Sequence, residues 1–382
     1  MNFVFWQNMP THHQAPWLAA LACHAEVWVA HEAAIPGWRS EMGWVMPDYG
    51  KAHVSVGLTE TMADSVVREA GPQAIHVFSG ISAYPQIQRA FVQSSASRRK
   101  GIMSECPPRE GLRGRARWAA GKVNHLRYSR QIGFVLGMGD HAGIWYRSLG
   151  YAPEKVFDFA YYPPLPESAS SGTGAVKSNF WQSGTRLLFI GQLIPRKGVD
   201  LLIAALAENR AGAWSLQIVG VGAMEQTLRE QVQSLGLADR VTFHGALPND
   251  EAMAALASAD MLILPSRFDG YGAVVSEALL RGIPVICSSE CGARQNVVEN
   301  PECGNVFRTQ EQLVAQLAMA ISAGRLTEQR SELIKVWARQ SISPAAGARY
   351  FLNIINHLYD GAPRPTPPWA IPAESLYTKA SF

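Results

Sequence analysis

The run from Leu264 to Ser289 holds the densest concentration of residues able to do chemistry. Its pattern is a strand ending near Leu264, a loop with Gly270 and Gly272, and a helix from Ala273 to Arg281 that Gly282 and Pro284 terminate. Glycines ahead of a helix let backbone N–H groups approach an anion, and the helix dipole adds positive potential there. Asp269 in the loop and Glu277 on the first turns of the helix lie eight residues apart. Ionised carboxylates accept hydrogen bonds from vicinal hydroxyls, so the pair suits a hydroxyl-rich ligand held beside an anion. Taken alone the same residues also read as an ordinary strand–loop–helix with a capping aspartate, because a single Gly-rich turn is a weak signal.

A second cluster runs from Gly191 through Gln192 and Pro195 to Arg196, Lys197 and Gly198, after the apolar run Leu187 to Ile190. Two adjacent cations at a strand's carboxyl end can neutralise a diphosphate; a solvated basic loop is the plainer reading. A third, Val219-Gly220-Val221-Gly222, again joins strand to helix and fits either a nucleotide or a tight turn. No Ser–His–Asp arrangement stands out. The five cysteines, Cys23, Cys106, Cys287, Cys291 and Cys303, include no C-x-x-C pair, and the last three lack a histidine at ligand spacing. They read as small buried thiols, not as a metal site or a disulfide framework.

These loops need strands and helices to hold them. The 382 residues suit two domains, and 47% hydrophobic against 17% charged residues is a globular balance. Strands are expected at Asn2 to Trp6, Glu26 to Ala30, Ala74 to Phe78, Gly101 to Ser104 and Ile132 to Leu136. Helices fall between them near Pro16 to Cys23, Glu60 to Glu69, Gln86 to Ala96 and Arg113 to Arg127, with another starting near Asp140. Tyr161-Tyr162-Pro163-Pro164 ends that rhythm, and it restarts with strands at Leu187 to Ile190, Leu216 to Val219, Val241 to Phe243, Met261 to Leu264 and Pro284 to Cys287. The expected organisation is α/β throughout: a doubly wound parallel-sheet domain over 1–165, a Ser/Gly-rich linker over 166–184, a second such domain over 185–343, and over 344–382 a helix, Pro344 to Tyr359, with a Pro-rich tail. Two such domains imply a cleft with ligands at the carboxyl ends of the strands.

The net charge of +3 gives no broad basic surface for nucleic acid. No run reaches the ~20 apolar residues of a membrane span, and the N-terminal stretch lacks a basic n-region, so the expected compartment is the cytoplasm. The segment Arg109 to Arg130 carries Arg109, Arg113, Arg115, Arg117, Lys122, Arg127 and Arg130 with Glu110 as its only acid, just after Arg98-Arg99-Lys100. Ala116, Ala119, Val123 and Leu126 form an apolar stripe along it. Two readings stand: peripheral contact with anionic lipid or a lipid-diphosphate acceptor at the inner face of the plasma membrane, or a solvated helix face over the core. His12-His13 and Asp140-His141 lie at expected strand ends and read as acceptor contacts or as polar loop.

Together the second-half motifs resemble the retaining GT-B glycosyltransferases of family four (glycosyl transferases group 1). The resemblance rests on Gly191-Gln192, Lys197-Gly198, Ile218 to Gly222, Val241 to Gly245, Asp269 to Glu277 and Ala278 to Ile286, in order and spacing. It implies two Rossmann-like domains facing a cleft and transfer of a sugar from a UDP- or GDP-sugar to a saccharide or lipid-linked saccharide in bacterial surface polysaccharide synthesis, such as lipopolysaccharide. No metal and no cofactor beyond the nucleotide-sugar co-substrate is implied. Glu277 would hold the ribose hydroxyls; Asp269 and the backbone of Gly270, Tyr271 and Gly272 would hold the donor sugar. Lys197, with Arg196, would neutralise the diphosphate beside Gly191, Gln192, Gly220, Gly222 and Ala273, and the final helix would cross back onto the first domain. Asp269, Lys197 and Glu277 would carry catalysis. The sequence departs from the pattern at Asp269 for the usual glutamate, Gln192 for an arginine, Asn296 for a glutamate, and an Asn8–Gln14 loop without paired glycines. His76 stands near, and two positions from, a sugar-contacting histidine of the family. A GT-B epimerase, a soluble disaccharide synthase and a non-catalytic partner protein are the alternatives.

Overall fold

The computed structural model describes residues 1–37, 39, 44–81, 83–94, 99–166, 181–298 and 300–370. Arg98, most of the linker and the tail beyond Ala370 thus lie outside the described residues. The chain forms two compact units, one of Met1–Pro164 with Ile342–Pro368 and one of Leu165–Ser341 with Trp369–Phe382.

The first unit is a seven-stranded, all-parallel sheet. Its strands are β1 (Asn2–Gln7), β2 (Glu26–His31), β3 (His53–Val56), β4 (Ile75–Phe78), β5 (Lys100–Glu105), β6 (Ile132–Met138) and β7 (Val156–Phe159), in the order 3-2-1-4-5-6-7. The chain winds outward from β1 to β3, then returns to the other side of β1 to begin β4, so the switch point lies between β1 and β4. Strand β1 is apolar on both faces because both are covered. Val4 and Trp6 share a core with Ala63 and Val66 of α2 (Glu60–Ala70) and Ile87 and Phe91 of α3 (Pro85–Gln93). Phe3 and Phe5 point the other way; with Trp17 of α1 (Ala15–Leu21) their rings lie 5.1, 5.5 and 5.6 Å from that of Phe351. The helix bearing Phe351, Pro344–Asp360, is capped by Ser343, whose hydroxyl accepts from the Ala346 amide at 3.2 Å, and it ends at left-handed Gly361. Between these elements come α4 (Gly111–Tyr128) and α5 (Asp140–Leu149).

The second unit is a six-stranded parallel sheet of β8 (Thr185–Ile190), β9 (Trp214–Val219), β10 (Val241–Gly245), β11 (Met261–Leu264), β12 (Val285–Ser288) and β13 (Gly304–Phe307), ordered 10-9-8-11-12-13. Its switch point falls between β8 and β11. The helices are α6 (Val199–Ala207), α7 (Glu225–Ser234), α8 (Asn249–Ser258), α9 (Ala273–Leu280), α10 (Gln295–Val298), α11 (Gln310–Ala323) and α12 (Glu328–Ser341). Pro248 occupies the N-cap position of α8, and no side chain caps the helix there. Three strands that periodicity missed, β3, β7 and β13, each span four residues at or beside a sheet edge.

Candidate functional site

The loops that leave β8 and β11 flank the switch point of the second sheet, the place where an open α/β sheet opens a crevice beyond its strand ends. The first loop delivers Arg196 and Lys197 on a single 3-10 turn, Pro195–Lys197, which left-handed Gly198 closes. The second delivers Asp269. The Lys197 Nζ donates to Asp269 Oδ2 at 2.5 Å, and Arg196 Nη1 lies 3.8 Å from Oδ1. Both side chains of the tighter pair are largely shielded from water, Lys197 14% and Asp269 11% exposed, so their attraction is screened far less than a surface pair's. Two cations and one carboxylate leave this corner with a net charge of +1 at neutral pH.

Backbone and side-chain bonds fix both loops. Asp269 N–H donates to the Glu290 carbonyl at 2.9 Å, and Gly292 N–H donates to the Asp269 carbonyl at 3.1 Å. Arg267, which the sequence motifs did not single out, clamps the two loops together. Its guanidinium grips Asp200 through two bonds of 2.8 and 2.6 Å and reaches the Pro195 carbonyl, while its amide donates to the Arg196 carbonyl at 2.8 Å. The guanidinium also holds the Asp200 carboxyl below its usual range. An arginine two residues before an acidic loop position is the only sequence cue for this clamp.

Helix α9 starts at Ala273 after left-handed Gly272. Its buried face is Val275, Ser276, Ala278, Leu279 and Leu280, which leaves Ala273, Glu277 and Arg281 in line on the partly open face. Glu277 is therefore one turn into the helix, on the side not used for packing. Arg281 donates to the Glu277 carbonyl at 3.1 Å.

The structure places several expected site residues differently. The Tyr271 ring is buried, its hydroxyl 3.0 Å from Ser276 Oγ and from Asn296 Nδ2, so only its backbone is left for a ligand. Asn296 is likewise buried beneath the loop. Gly220 and Gly222 are required by packing: a Cβ on Gly220 would sit 1.9 Å from the Gly191 oxygen, and one on Gly222 would sit 2.3 Å from the Leu193 oxygen. They let the loop after β9 lie directly on the loop after β8, where Gln192 is exposed. Gly220→Ala, at φ 137° as well, is expected to destabilise the second unit by ~3 kcal/mol, read as a lowered denaturant midpoint. An unchanged midpoint would show that the loops separate freely. Beneath Gly272 lies Cys291, whose thiol donates to the Tyr271 carbonyl at 3.2 Å; its neighbour Cys287 and burial push its pKa up. Cys287 and Cys303 are also buried and free.

In the first unit, His76 is not at a strand end but inside β4, where its Nδ1 accepts from the Trp6 indole at 3.1 Å. It is 3% exposed and does not reach a surface ligand. His141 is buried on α5. His12 and His13 instead lie against the Trp44 ring, at 5.4 and 6.0 Å. Beside this unit's own switch point, Gln7 at the end of β1 and Ser79 just past β4 keep buried polar atoms without a hydrogen-bond partner.

Residues 176–337 match the family described as glycosyl transferases group 1. The second unit is a glycosyl transferases group 1 domain. Curated relatives align over part of the chain. A GDP-mannose-dependent alpha-(1-6)-phosphatidylinositol monomannoside mannosyltransferase of Mycobacterium tuberculosis is 38% identical over 120 residues, 29% of this chain and 31% of that protein. A 2-deoxystreptamine glucosyltransferase of Streptomyces kanamyceticus is 31% identical over 142 residues, 35% of this chain and 37% of that one. The chain thus spans about a third of the length of these relatives. Over the whole fold, the Anabaena protein HepE solved with UDP superposes with a TM-score of 0.67 at 17% identity, covering 94% of this chain and all (100%) of that one. The architecture is accordingly GT-B: two doubly wound parallel-sheet units, of which the second carries the group 1 domain.

Proposed function

We propose that this chain is a retaining, metal-independent glycosyltransferase that moves a sugar from a UDP- or GDP-sugar to a saccharide or lipid-linked saccharide. The observation that carries the reading is the Lys197–Asp269 pair at the β8/β11 switch point, with Arg196 beside it. In transfer, the bond from the anomeric carbon to the diphosphate breaks and one to the acceptor oxygen forms. Negative charge builds on the departing diphosphate, which takes up the acceptor's proton. Arg196, Lys197 and the amides at the start of α9 are fixed positive ends for that charge, the kind of preorganised electrostatic help that lowers such a barrier by several kcal/mol. Asp269 turns from Lys197 to the sugar hydroxyls, and Glu277 takes the ribose hydroxyls from the open face of α9. The GDP-mannose and UDP in the names of similar proteins support a nucleoside-diphosphate donor. The neutral Gln7 and Ser79 beside the first sheet's switch point suit a hydroxyl-rich acceptor.

Calorimetric titration with UDP, GDP and ADP, without and then with magnesium, tests this. One nucleotide is expected to bind without metal, and Glu277→Ala is expected to weaken it at least ~10-fold, the loss of about one charge-assisted hydrogen bond. If none of the three binds, the exposed Gln192 in place of a cation gains weight and the non-catalytic reading replaces this one.

A further inference from the structure

Helix α4 turns its apolar stripe outward. Its packed side is Gly114, Gly121, His125 and Tyr128. A Cβ on Gly121 would meet Leu149 at 2.9 Å, the His125 ring lies 4.5 Å from that of Tyr151, and the Tyr128 ring lies 5.2 Å from that of Phe91. At about 100° per residue, Leu112, Ala116, Ala119, Val123 and Leu126 fall in one line on the opposite side. They are open to water: Leu112 is 82% exposed, Val123 61% and Leu126 80%. The stripe itself therefore does not pack on the core, which the helix covers with its opposite side. The same angular count puts Arg113 and Arg127 on one flank of the stripe and Arg115 and Lys122 on the other, while Arg117 falls towards the packed side and donates to the Pro108 carbonyl at 3.1 Å. No Asp or Glu lies within Gly111–Tyr128.

We infer that α4 is a docking surface for an anionic lipid bilayer, with the helix lying in the interface plane. An aliphatic line flanked by cations on both sides matches the acyl boundary at its centre and acidic headgroups at its edges, which long Arg and Lys side chains reach outward to meet. A second copy of the chain is a poor occupant, because stacking two stripes sets four flanking cations against four with no carboxylate between them. A polynucleotide is a poor one too, since its phosphates would meet the aliphatic centre of the surface. No described helix is long and apolar enough to cross a membrane, so the contact is peripheral. The inference needs neither donor binding nor transfer and stands whether or not the proposed activity does.

The test is flotation of the full chain with vesicles of phosphatidylcholine alone and of phosphatidylcholine with phosphatidylglycerol. Binding is expected to the anionic vesicles and to fall with added salt. Arg113→Gln with Arg115→Gln is expected to lower the partition coefficient ~25-fold, about fivefold per cation. Leu112→Gln, Val123→Gln and Leu126→Gln together, at unchanged charge, are expected to remove it as well. These side chains make no core contacts, so both variants keep the wild-type melting temperature. Equal binding to neutral vesicles, or full binding by either variant, overturns the inference. So does a dimer in sedimentation velocity that the Leu112, Val123 and Leu126 changes dissolve, for then a second copy covers the stripe.

Discussion

Lys197→Ala is expected to lower kcat/KM for glycosyl transfer about a hundred- to a thousandfold, the loss seen when one preorganised charge-stabilising donor is removed. The reason lies in the charge count at the switch point. Lys197 and Arg196 supply two positive charges against the single carboxylate of Asp269, so removing Lys197 takes the corner from +1 to neutral. A departing diphosphate then meets only Arg196, which is already tied to the Phe268 carbonyl at 3.0 Å. Asp269→Asn separates this role from a merely structural one. It frees Lys197 from its 2.5 Å partner, so nucleoside diphosphate should bind as tightly as before or more tightly while transfer is lost. If the pair served only to hold the two loops together, both variants would lose nucleotide binding and thermal stability alike. Assays of transfer, nucleotide affinity and melting temperature on the two variants therefore decide the point, and equal losses in all three would sink the catalytic role of Lys197.

The strand–loop–helix around Asp269 was legible because each feature is local: the apolar run of β11, the glycines before α9 and the terminating Gly282 are contiguous in sequence. The ion pair was not legible, since its members lie 72 residues apart and meet only because β8 and β11 are neighbours at the switch point. The resemblance implies a backbone role for Tyr271, and the burial of its side chain, whose hydroxyl bonds Ser276 and Asn296 inside the unit, could not be read from the motif. Glycine is a similar case. Gly220 and Gly222 read as a nucleotide contact or a tight turn, and the close approach of the neighbouring loop's backbone, which a Cβ on either would meet, comes from residues about 30 positions away. Helical periodicity found the stripe on α4 but could not give its direction, for a period specifies a face and only the packing partner says which way it turns. The edge strands escaped for want of length: four residues interrupted by a polar one, such as Asp158 in β7, carry too little alternation to read.

Acid should unfold the first unit before the second. His31 and His76 are 0% and 3% exposed in the core of the first sheet, and burial pulls each imidazole from 6.5 down to about 4. The Trp6–His76 hydrogen bond gives an independent reason, because Nδ1 can accept from the indole only while it is unprotonated. Lys100 adds a nearby positive charge that disfavours a second one. Since the unfolded chain takes up these protons near pH 6.5 and the folded unit refuses them until about pH 4, stability is constant above the first value and falls between the two. The shift of each histidine corresponds to about 3 kcal/mol lost by pH 4, enough for two to remove most of a domain's ~5–15 kcal/mol. Amide exchange in β1 and β4, corrected for intrinsic rates, should report this opening at pH 4.5 while amides in β8 and β11 stay protected. His76→Gln keeps an acceptor for Trp6 without a titrating proton. It should shift the acid transition of the first unit downward and halve its steepness. A transition that is the same in His76→Gln as in the wild type would assign the acid sensitivity to other groups. A first unit still protected at pH 4.5 would mean that the imidazoles find water on protonation without opening the sheet.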